Sequence, residues 1–353
     1  MAPATYKVLT PSQVEHFLAH GYVVLPSAFS REQAQDAIAN VWSRLGYDPS
    51  DPTTWLSDRV NMPWHKRFDV QTFCPVAWDA ICDLLGGEER VDPNAASWSD
   101  GFICNFGSAK WDEAVKRGEN PNDPKKLDNW HVDGDFFVHF LDSKEQGLLV
   151  IPLYTDIPEN GGGTMICPDG IGKLAKWLMD HPQGVFPLMR PVDAPEKEDF
   201  DSLEWYLKTI QECGDFRQMT GKAGDVILMH PLMLHSASRN LLRTHRIITN
   251  PPVSLKESFN YDRSDPSQYS LVEQKTLQEL AKLLKAEGRI QSEDEVKNGL
   301  RGWKISGERK SLVPRRMKAQ EQLRRAEEAR LRGEIVDATK GNGILAQADI
   351  MMA

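Results

Sequence analysis

The sequence has no long apolar run. None of its 353 residues lies in a stretch approaching the roughly 20 apolar residues of a membrane-spanning helix, and the first residues lack the apolar core of a secretion signal. The last three residues, Met351 to Ala353, do not form the peroxisomal Ser-Lys-Leu address. We therefore expect a soluble protein of the cytoplasm that does not bind membranes.

Cysteine is scarce, and its spacing suggests no pairing. The chain has five cysteines, an odd number, and no Cys-x-x-Cys spacing. This argues against both a disulfide framework and a structural zinc site. Cys167, beside Pro168, is a conceivable nucleophile, but no histidine partner is evident, and a small buried residue is the preferred interpretation. Reduced thiols are expected at Cys74, Cys82, Cys104, Cys167 and Cys213.

An excess of positive charge is also missing. The chain has 42 lysines and arginines against 51 aspartates and glutamates, a formal net charge of −9. Such a surface repels nucleic acid, so no nucleic-acid partner is expected. Only residues 315–332 are locally basic, with seven basic and three acidic residues, and their sparse apolar positions favour a solvated helix over a partner-binding arm.

What the chain does contain is apolar sequence in short segments. Hydrophobic residues make up 40% of it, enough for a substantial core. Capping patterns that begin at Thr10 and Ser30, each with Gln three residues later, predict two early helices, and leucine spacing predicts another over 271–284. From about residue 101, short β-type runs between Gly, Pro, Asn and Asp favour a sandwich or barrel over a doubly wound sheet.

These patterns predict a mainly β chain with flanking helices, an α+β protein of one structural domain. Residues 1–100 are expected to form a helical lead-in packed on the core. Residues 101–255 are expected to form the core itself, with polar insertions near 109–129 and 187–220. Residues 256–353 are expected to form a C-terminal helical extension.

Candidate metal ligands occur in the run His131-Val132-Asp133. In an extended strand, side chains two residues apart point to the same face, so this imidazole and this carboxylate can bind one ion from one side. A distant histidine would be the third ligand, and both His230 and His235 are available. They lie five residues apart, an odd separation that puts them on opposite faces of a continuous strand. Two histidines and one carboxylate are typical of non-haem Fe(II) oxygenases.

Arg246 points to a second ligand of the same site. It opens an apolar run that favours a buried strand, where an unpaired guanidinium is costly. Its planar fork suits a carboxylate, so we expect an anionic partner. A small dicarboxylate such as 2-oxoglutarate could bind Arg246 at one end and chelate the metal at the other.

The chain resembles a known family, the phytanoyl-CoA dioxygenases, which are Fe(II)- and 2-oxoglutarate-dependent oxygenases. The resemblance covers roughly residues 10–255 and rests on the order and spacing of several short segments. These are Phe17 to Leu25, Ala28 to Ser30, His131 to Asp133, Pro158 to Thr164, Gly224 to Val226, His235 to Asn240 and Arg246.

The resemblance implies a double-stranded β-helix core of the jelly-roll or cupin type. It implies an iron triad of His131, Asp133 and His235 as metal and catalytic residues. It also implies that 2-oxoglutarate is bound by Arg246, and that Asn105 and Thr164 contribute to this cosubstrate site. The expected activity is hydroxylation or desaturation of a small organic substrate, with release of succinate and CO₂. In halogenating relatives a small residue takes the carboxylate's place, so Asp133 argues against halogenation.

Some segments depart from the family pattern. Residues 168–171 read Pro-Asp-Gly-Ile where many members have Pro-Gly-Ser-His, so the identity of the substrate does not carry over. The polar connection 109–129 is unusually long and is expected to be a lid that helps to select a polar or acidic substrate. The acidic segment 193–210 is expected to be helical and to cover the barrel.

Other interpretations remain open. His139 lies among phenylalanines and is expected in the core or on the substrate side. Gly161 to Gly163 lack the spacing of a phosphate-binding loop and predict a tight turn. A metal-dependent isomerase or hydrolase of the cupin type could use the same ligands. A non-catalytic binding protein on this fold is the third possibility. Arg246 weighs against the isomerase or hydrolase, and the complete triad weighs against the binding protein.

Overall fold

The computed structural model describes residues 6–195, 202–314 and 316–334. Its helices are α1 (Pro11–His20), α2 (Arg31–Ile38), α3 (Val41–Leu45), α4 (Val70–Phe73), α5 (Pro75–Leu85), α6 (Asp112–Lys116), α7 (Gly170–Asp180), α8 (Glu204–Gln211), α9 (Leu271–Ala286), α10 (Glu293–Leu300) and α11 (Met317–Leu331). Its strands are β1 (Tyr22–Leu25), β2 (Arg59–Asn61), β3 (Arg67–Asp69), β4 (Ser97–Ser99), β5 (Ile103–Asn105), β6 (Leu149–Pro152), β7 (Thr164–Cys167), β8 (Arg217–Gln218), β9 (Val226–Met229), β10 (Leu234–Ala237) and β11 (Arg246–Ile248).

The first two helices begin where the capping patterns place them. The Thr10 side chain accepts a hydrogen bond from the Gln13 backbone, and the Gln13 side chain accepts one from the Thr10 backbone. Ser30 and Gln33 repeat this arrangement at α2. Because each pair satisfies two backbone N–H groups that would otherwise lack partners, the boundary is encoded locally.

The strands form small sheets, and every pairing between them is antiparallel. The α+β class expected from the sequence is therefore confirmed, but the expectation of a mainly β chain is wrong, because the described strands are short and the helices contain more residues. Strands β6, β7 and β9 are buried on both faces, which explains why they appear in the sequence as short continuous apolar runs. The strand orders are β1-β9-β6, β10-β7-β8, β11-β5-β2 and β3-β4.

Helices α1, α5, α7 and α10 pack against helix α9. Helix α9 is confirmed close to its predicted bounds, and α7 lies against it. The sequence analysis did not predict α7, because it begins Gly170-Ile171-Gly172, a pattern typical of a turn. The glycine is needed for packing: a Cβ atom at Gly172 would lie 2.9 Å from the Glu279 carbonyl oxygen of α9. Within the described part of the chain, no helix has both the length and the apolar character needed to cross a bilayer.

The C-terminal part returns to the core rather than projecting into solvent. The Val138 amide donates to the Lys310 carbonyl, and the Leu312 amide donates to the Phe136 carbonyl. Helix α11 then packs against α3 and buries Ala319, Leu323 and Glu327. The expectation of a merely solvated helix is therefore wrong, because the charge count did not reveal this buried face. Arg315 and the residues after 334 lie outside the described ranges.

The polar connection 109–129 is folded against the loop after β10. The Asn122 amide binds the backbone of Arg239 in both directions, at 2.6 and 3.1 Å, and the Arg239 guanidinium lies 4.5 Å above the Trp111 ring. In the 193–210 segment the helix is confined to α8, while residues 196–201 lie outside the described ranges. Tyr206 of α8 is buried and donates to the Pro187 carbonyl at 2.7 Å.

Candidate metal centre and its cavity

The candidate ligands come together where two extended segments pair. His131 and His235 are direct neighbours across an antiparallel bridge, with N–O distances of 3.0 and 2.9 Å, and their ring centroids lie 4.4 Å apart. The Asp133 Oδ1 atom lies 3.8 Å from His131 Nε2 and 3.6 Å from His235 Nε2. One donor atom of each residue lies within 4.8 Å of the other two. Strand alternation and one backbone pairing therefore suffice to converge three ligand atoms.

The imidazoles are held with their Nε2 atoms toward this common point. His131 Nδ1 donates to the Asn129 carbonyl at 2.9 Å, and His235 Nδ1 donates to the Met233 carbonyl at 3.0 Å. A histidine whose Nδ1 carries the proton presents the lone pair of Nε2, and metal-binding histidines are commonly oriented in this way. The donor set therefore fits a divalent transition metal.

The carboxylate of Asp133 is also oriented by a hydrogen bond. Its Oδ2 accepts a hydrogen bond from Asn250 Nδ2 at 3.0 Å, which leaves Oδ1 facing the histidines. Burial opposes ionisation, but the hydrogen bond and charge of His235 outweigh it and lower the pKa of Asp133 to about 2. Burial and the neighbouring His235 lower the pKa of His131 to about 4. Asp133 is thus ionised and His131 neutral, the states in which a carboxylate and an imidazole bind a metal ion.

The structure separates His230 from this site. It is fully buried, its Nε2 lies 2.9 Å from Thr276 Oγ1, and its Nδ1 accepts the Leu232 amide at 3.1 Å. Both ring nitrogens are thus occupied, Nε2 by helix α9 and Nδ1 by the backbone of its own turn. His139 is also occupied, with Nε2 2.9 Å from the Gly134 carbonyl oxygen and its ring stacked 4.4 Å from Phe137.

The three candidate ligands line a cavity of about 700 Å³, and Arg246 lines the same cavity. Arg246 is only 2% exposed, and its guanidinium donates to the carbonyls of Gly162, at 2.8 Å, and Ile103, at 3.3 Å. Within residues 6–195, 202–314 and 316–334, no carboxylate forms an ion pair with it. Burial, with a contribution from the like charge of Arg59, lowers the pKa of Arg246 to about 10, so it stays charged near neutral pH.

Of the two other expected cosubstrate residues, Thr164 reaches the cavity and Asn105 does not line it. Asn105 is buried, and its amide donates to the Ser238 carbonyl at 3.1 Å and the Gly162 carbonyl at 3.5 Å. It thus holds the same Gly162 that accepts from Arg246. Gly162 has a φ of +79°, which explains the glycine at this turn.

Some residues of the site were missed by the sequence analysis. Asn250 follows β11 by two residues and carries no recognisable pattern. Arg59 reaches the cavity only through the pairing of β2 with β5. The C-terminal part supplies a further wall, whereas Asn129, next to the ligand segment, is the one described residue of the expected lid 109–129 that reaches the lining. The C-terminal lining residues in the described ranges are Pro314, Arg316, Met317 and Gln320.

A second group of possible ligand atoms consists of Cys167, Asp169 and Cys213. Cys167 Sγ donates to Asp169 Oδ1 at 3.1 Å, and both cysteines are buried. The hydrogen bond with Cys213, together with burial, raises the pKa of Cys167 far above its ordinary value. Cys167 is therefore a protonated thiol, as the small-buried-residue interpretation requires, and a poor nucleophile.

No family model and no curated protein matches the chain. Among solved structures it resembles the non-haem α-ketoglutarate-dependent carbocyclase SnoK of nogalamycin biosynthesis, with a TM-score of 0.39, 15% identity, and coverage of 72% of this chain and 87% of that one. It also resembles HygX of Streptomyces hygroscopicus with nickel, 2-oxoglutarate and hygromycin B bound, with a TM-score of 0.39, 14% identity, and coverage of 70% and 88%.

The hypothetical protein JW0805 of Escherichia coli gives a TM-score of 0.43 at 12% identity, with 70% of this chain and 68% of that one covered. At TM-scores below 0.5 these likenesses carry no argument about function, which has to rest on the chain's own residues.

Proposed function

We propose that the protein is an Fe(II)- and 2-oxoglutarate-dependent oxygenase that hydroxylates or desaturates a small organic substrate. One observation carries the proposal. His131 Nε2, Asp133 Oδ1 and His235 Nε2 converge in the same cavity as a buried arginine that has no carboxylate partner among the described residues. A metal-dependent isomerase or hydrolase would use the three ligands but would have no role for Arg246.

The proposed fold follows from the same residues. The triad requires β10 and the segment around His131 to lie side by side, and Arg246 requires β11 to face the same cavity. A double-stranded β-helix brings short antiparallel strands together in this way, and we propose it as the core over residues 101–255. We also propose that residues 1–100 and 256–353 belong to the same structural domain, because α1 packs on α9 and α3 packs on α11.

Each residue has a separate role in the proposed site. The carbonyls of Asn129 and Met233 orient the two imidazoles, and Asn250 leaves one oxygen of Asp133 for the metal. Arg246 would bind the carboxylate of 2-oxoglutarate farthest from the metal, with Thr164 beside it. Bound iron, with 2-oxoglutarate and O₂, would supply oxidative decarboxylation to succinate and CO₂ and the oxidant that removes hydrogen from a C–H bond.

Anaerobic titration of the protein with Fe(II) and 2-oxoglutarate tests the proposal. We expect the weak visible absorption band of an iron-chelated keto acid, and its loss in His131→Ala and in His235→Ala. Asp133→Ala should stop 2-oxoglutarate consumption in air even where some iron is still bound. His230→Gln is the matched control, because His230 contacts α9 rather than the cavity, and it should retain the band.

Two results would contradict the proposal. The first is absence of the band in the wild-type protein at saturating iron and 2-oxoglutarate. The second is retention of the band in His235→Ala together with its loss in a folded His230→Gln, which would reassign the third ligand. Once a substrate is found by screening, its addition should accelerate succinate formation.

A further inference from the structure

Three polar side chains form a row across one small sheet. In strand order β11-β5-β2, Arg246 pairs with Asn105, and Asn105 pairs with Arg59. Residues directly opposite each other in antiparallel strands project from the same face. Arg246 and Arg59 therefore stand on one face, two strands or about 10 Å apart at their backbones, and both line the metal cavity.

The Arg59 guanidinium has no polar partner among the described residues, whereas those of Arg246 and Arg316 do. Its side chain is half-buried, and within residues 6–195, 202–314 and 316–334 no ion pair or side-chain hydrogen bond engages its guanidinium. Its charge acts on Arg246, because it contributes to lowering the pKa of Arg246. A guanidinium without an anionic partner, facing a cavity that holds other cations, favours a ligand whose negative charge compensates it.

Metal and cosubstrate do not supply that compensation. A ferrous ion would add two positive charges and 2-oxoglutarate two negative ones, so the excess of two positive charges from the lining persists. Arg316 is neutralised by Asp135 at 2.6 Å, and Arg246 is assigned to 2-oxoglutarate. The excess therefore falls on Arg59 and Arg67. Among the described residues, the charged side chains of the lining are Arg59, Arg67, Arg246, Arg316, Asp133 and Asp135.

The outer part of the cavity offers a second kind of contact. Trp64 is 52% exposed, and the Arg67 guanidinium lies 4.6 Å from the centroid of its ring. Both line the same cavity as Arg59. An exposed indole beside two cations can cover an apolar group while the cations bind an attached anion.

On the basis of the proposed function, we propose that the substrate carries a carboxylate or a phosphate group that binds Arg59, with Arg67 and Trp64 at the outer end of this subsite. Arg59 is then a specificity-determining residue. It holds the anionic end of the substrate, and the C–H bond to be oxidised lies toward the triad. A neutral compound of the same shape would leave the charge of Arg59 uncompensated and would be excluded.

Calorimetry on protein loaded with Ni(II) and 2-oxoglutarate tests this inference, because nickel prevents turnover. The probes are phenylacetate, phenyl phosphate and the neutral 2-phenylethanol. We expect at least one anion to bind and the alcohol not to bind at about 10 mM. The preferred anion then distinguishes a carboxylate substrate from a phosphate substrate.

Arg59→Met should weaken binding of the anion by about 10-fold or more, while the affinity for 2-oxoglutarate changes by less than about 3-fold. Arg67→Met should have a smaller effect, because this residue is exposed to solvent. Arg31→Met, which removes an exposed arginine paired with Asp156 outside the cavity, is the control and should change neither affinity.

Three results would overturn the inference. Arg59→Met could leave anion binding unchanged, or neither anion could bind to the loaded wild-type protein at about 10 mM. Alternatively, Arg59→Met could weaken 2-oxoglutarate as strongly as Arg246→Met does, which would make Arg59 a cosubstrate residue. If the wild-type protein binds no 2-oxoglutarate at all, the proposed function fails as well, so the two failures are told apart by the wild-type titration.

Discussion

Two regions of the molecule bury an arginine completely, and they treat its charge in opposite ways. At the contact of α3 with α11, Arg44 binds the carboxylates of Asp100, at 3.2 Å, and Glu327, at 3.0 Å. In the sheet that faces the cavity, the partners of Arg246 among the described residues are backbone carbonyls, of which Gly162 is the nearest. The first guanidinium is compensated within the protein and the second is not.

The difference separates a structural role from a binding role. Burying an ion pair costs desolvation, which Arg44 recovers from two carboxylates while joining the C-terminal helix to the body of the protein. Carbonyl dipoles stabilise the charge of Arg246 without neutralising it, so its field remains available to an anion in the cavity. Burial alone therefore does not identify a functional arginine, whereas the identity of its partners does.

The largest effect on stability is expected when the compensated arginine is removed. Arg44→Met leaves Asp100 buried without its cation and Glu327 with His65 as its remaining partner, and loss of such a buried pair typically costs about 3–5 kcal/mol of unfolding free energy. Urea unfolding measures this loss. The folded variant should bind 2-oxoglutarate as the wild type does, because Arg44 does not line the cavity.

A double variant sharpens that test. Adding Glu327→Met to Arg44→Met removes the unpaired carboxylate and should recover part of the lost stability. Asp100 would still accept the backbone amides of His65 and Lys66, each at 2.7 Å. Equal or greater destabilisation in the double variant would contradict the ion-pair account of the α3–α11 contact.

Removing the uncompensated arginine should give the reverse pattern. Arg246→Met should raise the apparent dissociation constant for 2-oxoglutarate by about 30-fold or more, corresponding to about 2–5 kcal/mol, and should change the unfolding free energy less than Arg44→Met does. Titration of the iron–keto acid band measures the affinity. Arg246→Lys should rescue it only in part, because the bidentate fork is lost.

Arg243→Met is the control for this experiment. Arg243 lies three residues earlier and pairs with Asp112 outside the cavity, so its loss should not affect 2-oxoglutarate binding. A large loss of stability in Arg246→Met without a loss of affinity would erase the distinction between the two buried arginines.

The buried His230 differs from these two arginines, because it can lose its proton and so avoid a buried charge. Burial, with the charge of Lys275, lowers the pKa of His230 to about 3, so it is neutral in the folded protein. In the unfolded chain its pKa returns to about 6.5. As the pH falls from about 6.5 toward 3, protonation therefore favours the unfolded state, and stability is lost.

We expect His230 alone to account for about 2 kcal/mol of stability lost between pH 7 and pH 5. His230→Gln should be less stable than the wild type at pH 7, but the difference between the two should shrink by about that amount at pH 5. Urea unfolding at both pH values measures it. A constant difference would mean that His230 does not set this pH dependence.

The sequence was sufficient where the physics is local. The same-face placement of His131 and Asp133 needs only strand alternation, and the start of α1 needs only the capping pattern at Thr10. The roles of Arg59 and Arg44 depend instead on contacts that no local pattern encodes. One follows from the register of the three-residue strand β2, and the other from a helix that lies 283 residues away in the chain.

The same reasoning explains why the sequence does not tell where the expected lid folds. A long polar insertion before a ligand strand is typical of a lid, but polarity says nothing about where the insertion folds. Here Asn122 binds it to Arg239, and the cavity wall comes from the C-terminal part around Arg316. The contacts that anchor a polar segment to the rest of the protein decide whether it covers the site.

The smallest effect is expected at the tip of this insertion. Lys116 and Arg117 are exposed, and they pair only with the equally exposed Glu113 and Glu119. Surface pairs of this kind contribute little, so Lys116→Ser combined with Arg117→Ser should change the unfolding free energy by less than about 0.5 kcal/mol and the affinity for 2-oxoglutarate by less than about 2-fold.

Arg316→Gln also removes a positive charge, but from the C-terminal wall of the cavity. It breaks the pair with Asp135, two residues from a proposed metal ligand, and alters the lining of the cavity. We therefore expect it to change the rate at which 2-oxoglutarate is consumed without added substrate, a rate that the tip variant should leave unaltered. The reverse result, with an altered rate in the tip variant and none in Arg316→Gln, would restore the insertion as the lid and make the C-terminal wall merely structural.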